Sequence, residues 1–135
     1  MNKRELKSFL LAWNKANVLY KTYFPNNRLM FPEPLQKDIV MTLYDKSLLL
    51  SNNSSYDFQK NIELKSSTKF GGGCTPFKST QNACSRIIYI EIGTNFDVYE
   101  IDQADVQTIN NLVLNGETNI TLSNYKQNAK FIRII

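Results

Sequence analysis

Apolar residues recur at the spacing of a helix face from the start of the chain. Leu6, Phe9, Leu10, Trp13, Ala16 and Val18 are separated by polar residues, which predicts an amphipathic helix over residues 2 to about 18. Pro25-Asn26-Asn27 signals a turn, and residues 20–31 read as irregular. Pro34 suits a first helical turn, and Leu35, Ile39, Val40 and Leu43 form one face of a second helix predicted to reach about Leu49. Ser51-Asn52-Asn53-Ser54 ends it. The period then changes from helical to alternating. Runs near 54–58 and 61–67 predict a hairpin turning through Lys60-Asn61. Residues 69–85 are glycine-rich, polar and basic, and read as a long loop. Arg86-Ile87-Ile88-Tyr89-Ile90-Glu91-Ile92 predicts a strand apolar enough to be central in a sheet. A turn at Gly93-Thr94-Asn95 leads to a strand over residues 96–101, and Asp102 caps a helix near 103–113. Asn115-Gly116 is a turn, and residues 119–122 and 130–134 close the chain as short strands. The order α, α, β, β, loop, β, β, α, β, β predicts an α/β (α+β) fold, a central mixed sheet flanked by helices.

The 135 residues suit one domain spanning 1–135, long enough to bury a core. Hydrophobic residues at 42% against 21% charged place the chain among globular rather than disordered sequences. No apolar run approaches the about 18 residues of a membrane span. Met1-Asn2-Lys3-Arg4-Glu5-Leu6-Lys7 lacks the apolar stretch of a signal peptide, so a cytoplasmic protein is expected, without a membrane partner. The net charge of +4, from 16 basic and 12 acidic residues, is compatible with a nucleic-acid partner without requiring one.

The absence of histidine changes the picture more than the charge does. Ser/His and Cys/His nucleophile schemes are excluded, and two cysteines do not make a zinc site. Cys74 and Cys84 are expected to be thiols in an intracellular chain. Hydrolytic chemistry must therefore run on carboxylates, lysine and a hard metal. Tyr56-Asp57-Phe58-Gln59-Lys60-Asn61-Ile62-Glu63-Leu64-Lys65 offers such a set. On a strand Glu63 and Lys65 share a face, and a hairpin turn brings Asp57 beside Glu63. Asp57 and Glu63 supply oxygens of the kind Mg²⁺ prefers, and Lys65 can hold a water or stabilise a charged transition state. The same string is also what a solvated strand face looks like. Glu33 and Asp38 stand near the start of the second helix, where acids answer the helix dipole.

The loop after Lys65 carries a second signal. Phe70-Gly71-Gly72-Gly73-Cys74-Thr75-Pro76-Phe77-Lys78 has three consecutive glycines, which allow a backbone to approach a ligand closely. Lys69, Lys78 and Arg86 can meet phosphates, and the amides of Gln81 and Asn82 can pair with base edges. No Gly-Lys-Ser/Thr ends the run, so a Walker phosphate loop is a poor alternative.

The run YDFQKNIELKSSTKFGGGCTPFKSTQNACSRIIYIEI, residues 56–92, resembles type II restriction endonucleases of the PD-(D/E)xK nuclease superfamily; FPEPLQKDIV resembles them more weakly. The short interval between Asp57 and Glu63 is similar to that of mismatch-repair nickases. The resemblance implies that Asp57 and Glu63 are the metal-binding acids, Lys65 the catalytic lysine, and Glu33, slightly preferred over Asp38, an additional acid. It implies a restriction-endonuclease-like fold and Mg²⁺ as the only cofactor. The implied partner is double-stranded DNA, cut by water to a 5′-phosphate and a 3′-hydroxyl, with a homodimer serving a palindromic site. Tyr56 stands where the family pattern has proline. A junction resolvase or nickase of the same fold, and a non-catalytic nucleic-acid-binding module, are the competing expectations.

Overall fold

A computed structural model describes residues 1–44, 48, 50–51, 57–68, 70, 74–77, 83–93 and 95–132. Its helices are α1 (Lys3–Tyr23), α2 (Glu33–Leu43) and α3 (Gln103–Leu114). Its strands are β1 (Ile62–Ser67), β2 (Cys74–Pro76), β3 (Arg86–Glu91), β4 (Asp97–Glu100), β5 (Asn119–Thr121) and β6 (Lys130–Ile132), with a 3₁₀ helix at Ser123–Asn128.

The first helix begins at a capping box. The Glu5 N–H donates to the Asn2 side chain at 2.9 Å, and the Asn2 N–H donates to the Glu5 carboxylate at 2.8 Å. It continues past the expected end near residue 18. Its buried face stops at Trp13, but nothing breaks the backbone until Phe24 closes onto the Tyr20 carbonyl and Pro25 follows. Helix α2 does the opposite and stops at Leu43, short of Leu49. The Tyr44 N–H turns back onto the Val40 and Thr42 carbonyls. Leu50 lies in an antiparallel bridge with Phe58, and the Ser51 N–H donates to the Asp57 carbonyl. Residues 45–47, 49 and 52–56 lie outside the described ones.

The predicted turn at Lys60-Asn61 is present. Phe58 bridges Ile62, and both central residues have positive φ, 62° and 59°. Successive left-handed residues are the signature of a tight hairpin turn whose twist matches the strands. Asn61 tolerates this backbone well; Lys60 does so at a cost.

Four strands form one mixed sheet in the order β1-β3-β4-β6, and β2 and β5 form a second, two-stranded sheet. β1 runs parallel to β3; the β3–β4 and β4–β6 pairs are antiparallel. β3 is central and buried on both faces, as its isoleucines require. Ile88 and Ile90 join Leu6, Leu10, Trp13, Leu35, Ile39, Ile62 and Leu64 in a core beneath α1 and α2. Ile87 and Tyr89 join Val106, Ile109, Val113, Phe70, Phe77 and Ile120 in a core beneath α3 and β5. The segment expected to be one long loop thus contributes β2 and two core phenylalanines, Phe70 and Phe77. Asp102 caps α3 as expected, its carboxylate accepting from the Ala104 N–H at 3.1 Å. Among the described residues no helix is long and apolar enough to cross a membrane.

The strain at residue 60 makes a measurable difference. Lys60→Gly removes the left-handed penalty and should raise the melting temperature by about 2–5 °C, corresponding to about 1 kcal/mol. Asn61→Val should lower it by a similar or larger amount. Thermal unfolding followed by circular dichroism reads both.

Candidate functional site

β1 is an edge strand, and its alternation sorts the candidate residues by face. Ile62 and Leu64 point into the core beneath α1 and α2. Glu63 and Lys65 therefore point together to the α3 side, as the sequence spacing predicts. Glu63 is 7% exposed, unusual for a carboxylate. Its surroundings include the Cys84 thiol. Burial, and then the Glu63 charge, push that thiol up to about 12 against the opposing pull of Lys65. Cys84 is accordingly a protonated group at neutral pH, not a nucleophile. Its backbone is held by Asn110 of α3. The Asn110 side-chain oxygen accepts from the Cys84 N–H, and its NH₂ donates to the Cys84 carbonyl, both at 2.8 Å. Sequence reasoning missed Asn110; a lone amide on an otherwise apolar helix face was the available signal.

Asp57 reaches the same strand from its free edge. One carboxylate oxygen accepts from the Leu64 N–H at 2.9 Å, the amide of the peptide that joins Glu63 to Leu64. The other faces the Lys37 ammonium at 3.8 Å. Lys37 also pairs with Glu33 at 3.2 Å, one helical turn back. An ammonium thus bridges the first-turn acid of α2 and the acid of the hairpin. This links Glu33 to Asp57 through a residue the sequence did not single out. Asp38 takes no part in the bridge. It lies about 100° around α2 from Lys37, and one of its carboxylate oxygens is buried without a hydrogen-bond partner among the described residues.

Lys65 is covered by the end of β2. Its ammonium donates to the Pro76 carbonyl at 2.7 Å and lies 4.6 Å from the centre of the Phe77 ring. The two contacts hold the amine by a charge-assisted hydrogen bond and a cation–π interaction. The glycine-bearing segment is therefore attached directly to the candidate lysine.

Arg86 stands elsewhere. Its register partner is Ile62, so it lies on the α2 face, opposite Glu63 and Lys65. Its guanidinium grips both oxygens of Glu100, through Nε at 3.0 Å and through a second bond from Nη2, and stacks 4.8 Å from the Tyr44 ring. The Tyr44 hydroxyl donates to the same carboxylate. Burial raises the Glu100 pKa, but the bonds from Arg86 and Tyr44 outweigh it and leave the group below the ordinary carboxylate value. Burial, then Glu100, raises the Tyr44 hydroxyl. The Arg86 fork is already occupied within this cluster. Lys69, Lys78, Gln81 and Asn82 lie outside the described residues.

The donor set suits magnesium in kind. This ion is held by one or two carboxylates together with waters and phosphate oxygens. Asp57 accepts from the N–H of the peptide that joins Glu63 to Leu64, and the Lys37 ammonium lies between Asp57 and Glu33. Among the described residues no group of three or more acids, cysteines or histidines gathers into a cage.

Two substitutions probe the supports of this corner. Asn110→Leu leaves the buried N–H and C=O of Cys84 unpaired and should cost about 2–4 kcal/mol in urea unfolding. Glu100→Gln tests the ion pair by pH. Because the folded pKa of Glu100 is depressed, its stabilisation is full above the ordinary value of about 4.3 and is lost as pH falls further. The stability gap to the parent protein should therefore be full at neutral pH and close below about pH 4. Comparisons with protein-family models, with curated proteins and with solved structures find no match to this chain.

Proposed function

We propose that the protein is a magnesium-dependent DNA endonuclease of restriction-endonuclease-like fold, acting as a type II restriction enzyme on double-stranded DNA. One observation carries this reading: Asp57 is anchored on the peptide between Glu63 and Leu64, at the strand whose next charged residue is Lys65. The mixed sheet flanked by helices is compatible with it. Asp57 and Glu63 would hold the ion. Bound there, Mg²⁺ would supply charge neutralisation at the scissile phosphate and acidify a coordinated water. The protein's own groups do the rest. Lys65 exchanges the Pro76 carbonyl for a phosphate oxygen, bringing a positive charge to where negative charge develops. The Phe77 ring orients its stem. Lys37 and Glu33 set the position of Asp57 and its local charge. One chain cuts one strand in this scheme, so a homodimer serves a duplex site.

A second reading has its own support. Asp57 and Lys65 already have partners within the chain, as in a purely structural network. That favours a non-catalytic DNA-binding module.

Incubation with plasmid DNA and Mg²⁺ separates the two. The nuclease reading expects discrete fragments, abolished by EDTA. Lys65→Ala and Asp57→Asn should each reduce the rate at least about 100-fold, the scale of a missing transition-state donor. Glu63→Ala should abolish cutting while leaving duplex affinity equal or higher, since a negative charge near the phosphate is removed. Undiminished cutting by Glu63→Ala, or binding without cutting across a broad DNA panel, would overturn the nuclease reading. Cutting confined to four-way junctions would assign a resolvase instead.

A further inference from the structure

A groove at the other end of β1 combines apolar walls with unopposed positive charge. It has a volume of about 690 Å³ and runs between α1, the segment after it, and the C-terminal ends of β1 and β3 at Thr68 and Ile92. Lys15, Lys21 and Arg28 line it, and no carboxylate does. All three are exposed, and none joins an ion pair with another described residue. Leu11 and Val18, 49% and 68% exposed, form the apolar part of the helix wall. The groove has a fixed shape. The Asn17 side chain accepts from the Leu29 N–H at 3.0 Å, which fastens the Arg28 segment to α1.

We infer that this groove holds the sugar–phosphate backbone of a DNA duplex, with Lys15, Lys21 and Arg28 each on a phosphate. Charge complementarity selects the occupant: three cations without a compensating acid among the described residues fit a polyanion. Spacing agrees. Lys15 and Lys21 are separated by about 9 Å along the helix axis, which spans two to three phosphates at about 3.4 Å per nucleotide. The sugars meet Leu11 and Val18. The groove and the candidate active corner lie along the same strand, the groove at Thr68 and the corner at Leu64. From Leu64 to Thr68 the strand advances about 13 Å, and β1 is the sheet edge, so one DNA strand laid along it reaches Asp57 and the groove within about four nucleotides. The choice of duplex DNA as the ligand rests on the nuclease reading; the anion-binding character of the groove does not.

The test is fluorescence anisotropy of a short labelled duplex in EDTA, measured over a range of salt. For Lys15→Ala/Lys21→Ala/Arg28→Ala, the slope of log affinity against log salt should shrink by about 2.7, or about 0.9 for each phosphate no longer neutralised. Affinity at moderate salt should fall more than about tenfold. Lys126→Ala, beside Tyr99 and Phe131 on the far side of the sheet, should leave the slope unchanged. If the triple variant melts early, Lys15→Gln alone, at an exposed helix position, should still shrink the slope by about 0.9. A parent-like slope and affinity in these variants would overturn the groove. So would absence of duplex binding by the parent protein. The two readings fail separately. Groove-dependent binding without Mg²⁺-dependent cutting leaves the groove and removes the nuclease; Lys65-dependent cutting with an unchanged salt slope does the reverse.

Discussion

The parallel pairing of β1 with β3 is the constraint on which the rest of the structure depends. Six consecutive residue pairs, Ile62↔Arg86 to Ser67↔Glu91, fix the register. Parallel neighbours cannot be joined by a tight hairpin, because the second strand must start where the first began. The chain therefore needs a long crossover, and residues 68–85 provide it. This explains why a polar, glycine-bearing stretch between two apolar strands is so long. Of its described residues, Phe70 packs on Tyr89 and Tyr99, and Phe77 on Lys65. It also brings β2 alongside β5.

The same register decides which charges meet. β1 lies at the sheet edge with one face toward each core, so its charged residues share the α3 side with buried neighbours. A charge drawn out of water requires partners, and the described ones are specific: Pro76 and Phe77 for Lys65, the Leu64 amide and Lys37 for Asp57. Arg86 is placed by the same alternation on the other face, where Glu100 and Tyr44 clasp it. The corner with Asp57, Glu63 and Lys65 and the basic groove beside α1 then occupy two ends of one edge strand.

Much of this was legible in residues 57–67. Period-two alternation gave the shared face of Glu63 and Lys65, and the residue pair Lys60-Asn61 gave the turn that sets Asp57 against β1. The four isoleucines after Arg86 marked a strand buried on both faces. The helix ends were less legible, for opposite reasons. Helix α1 outruns its buried face because backbone hydrogen bonding propagates until a proline intervenes. Helix α2 ends early because Leu50 is claimed by Phe58, a pairing that no local pattern announces. Lys37 and Asn110 escaped notice because each looks ordinary on its helix. Their roles arise only when Asp57 and Cys84 arrive beside them.

The sequence by itself therefore determined the elements and their inward faces, because a side chain's direction along a helix or strand follows from local geometry. It also excluded schemes that need a histidine, since none is present. Only the tertiary structure decided that β1 and β3 run parallel, that Arg86 faces away from Lys65, and that Lys37 joins Glu33 to Asp57. It alone gathered Lys15, Lys21 and Arg28 along one groove. Those outcomes depend on which distant segments share a register or a face, and strand pairing and ion pairing are set by the whole packed core rather than by neighbours in the chain.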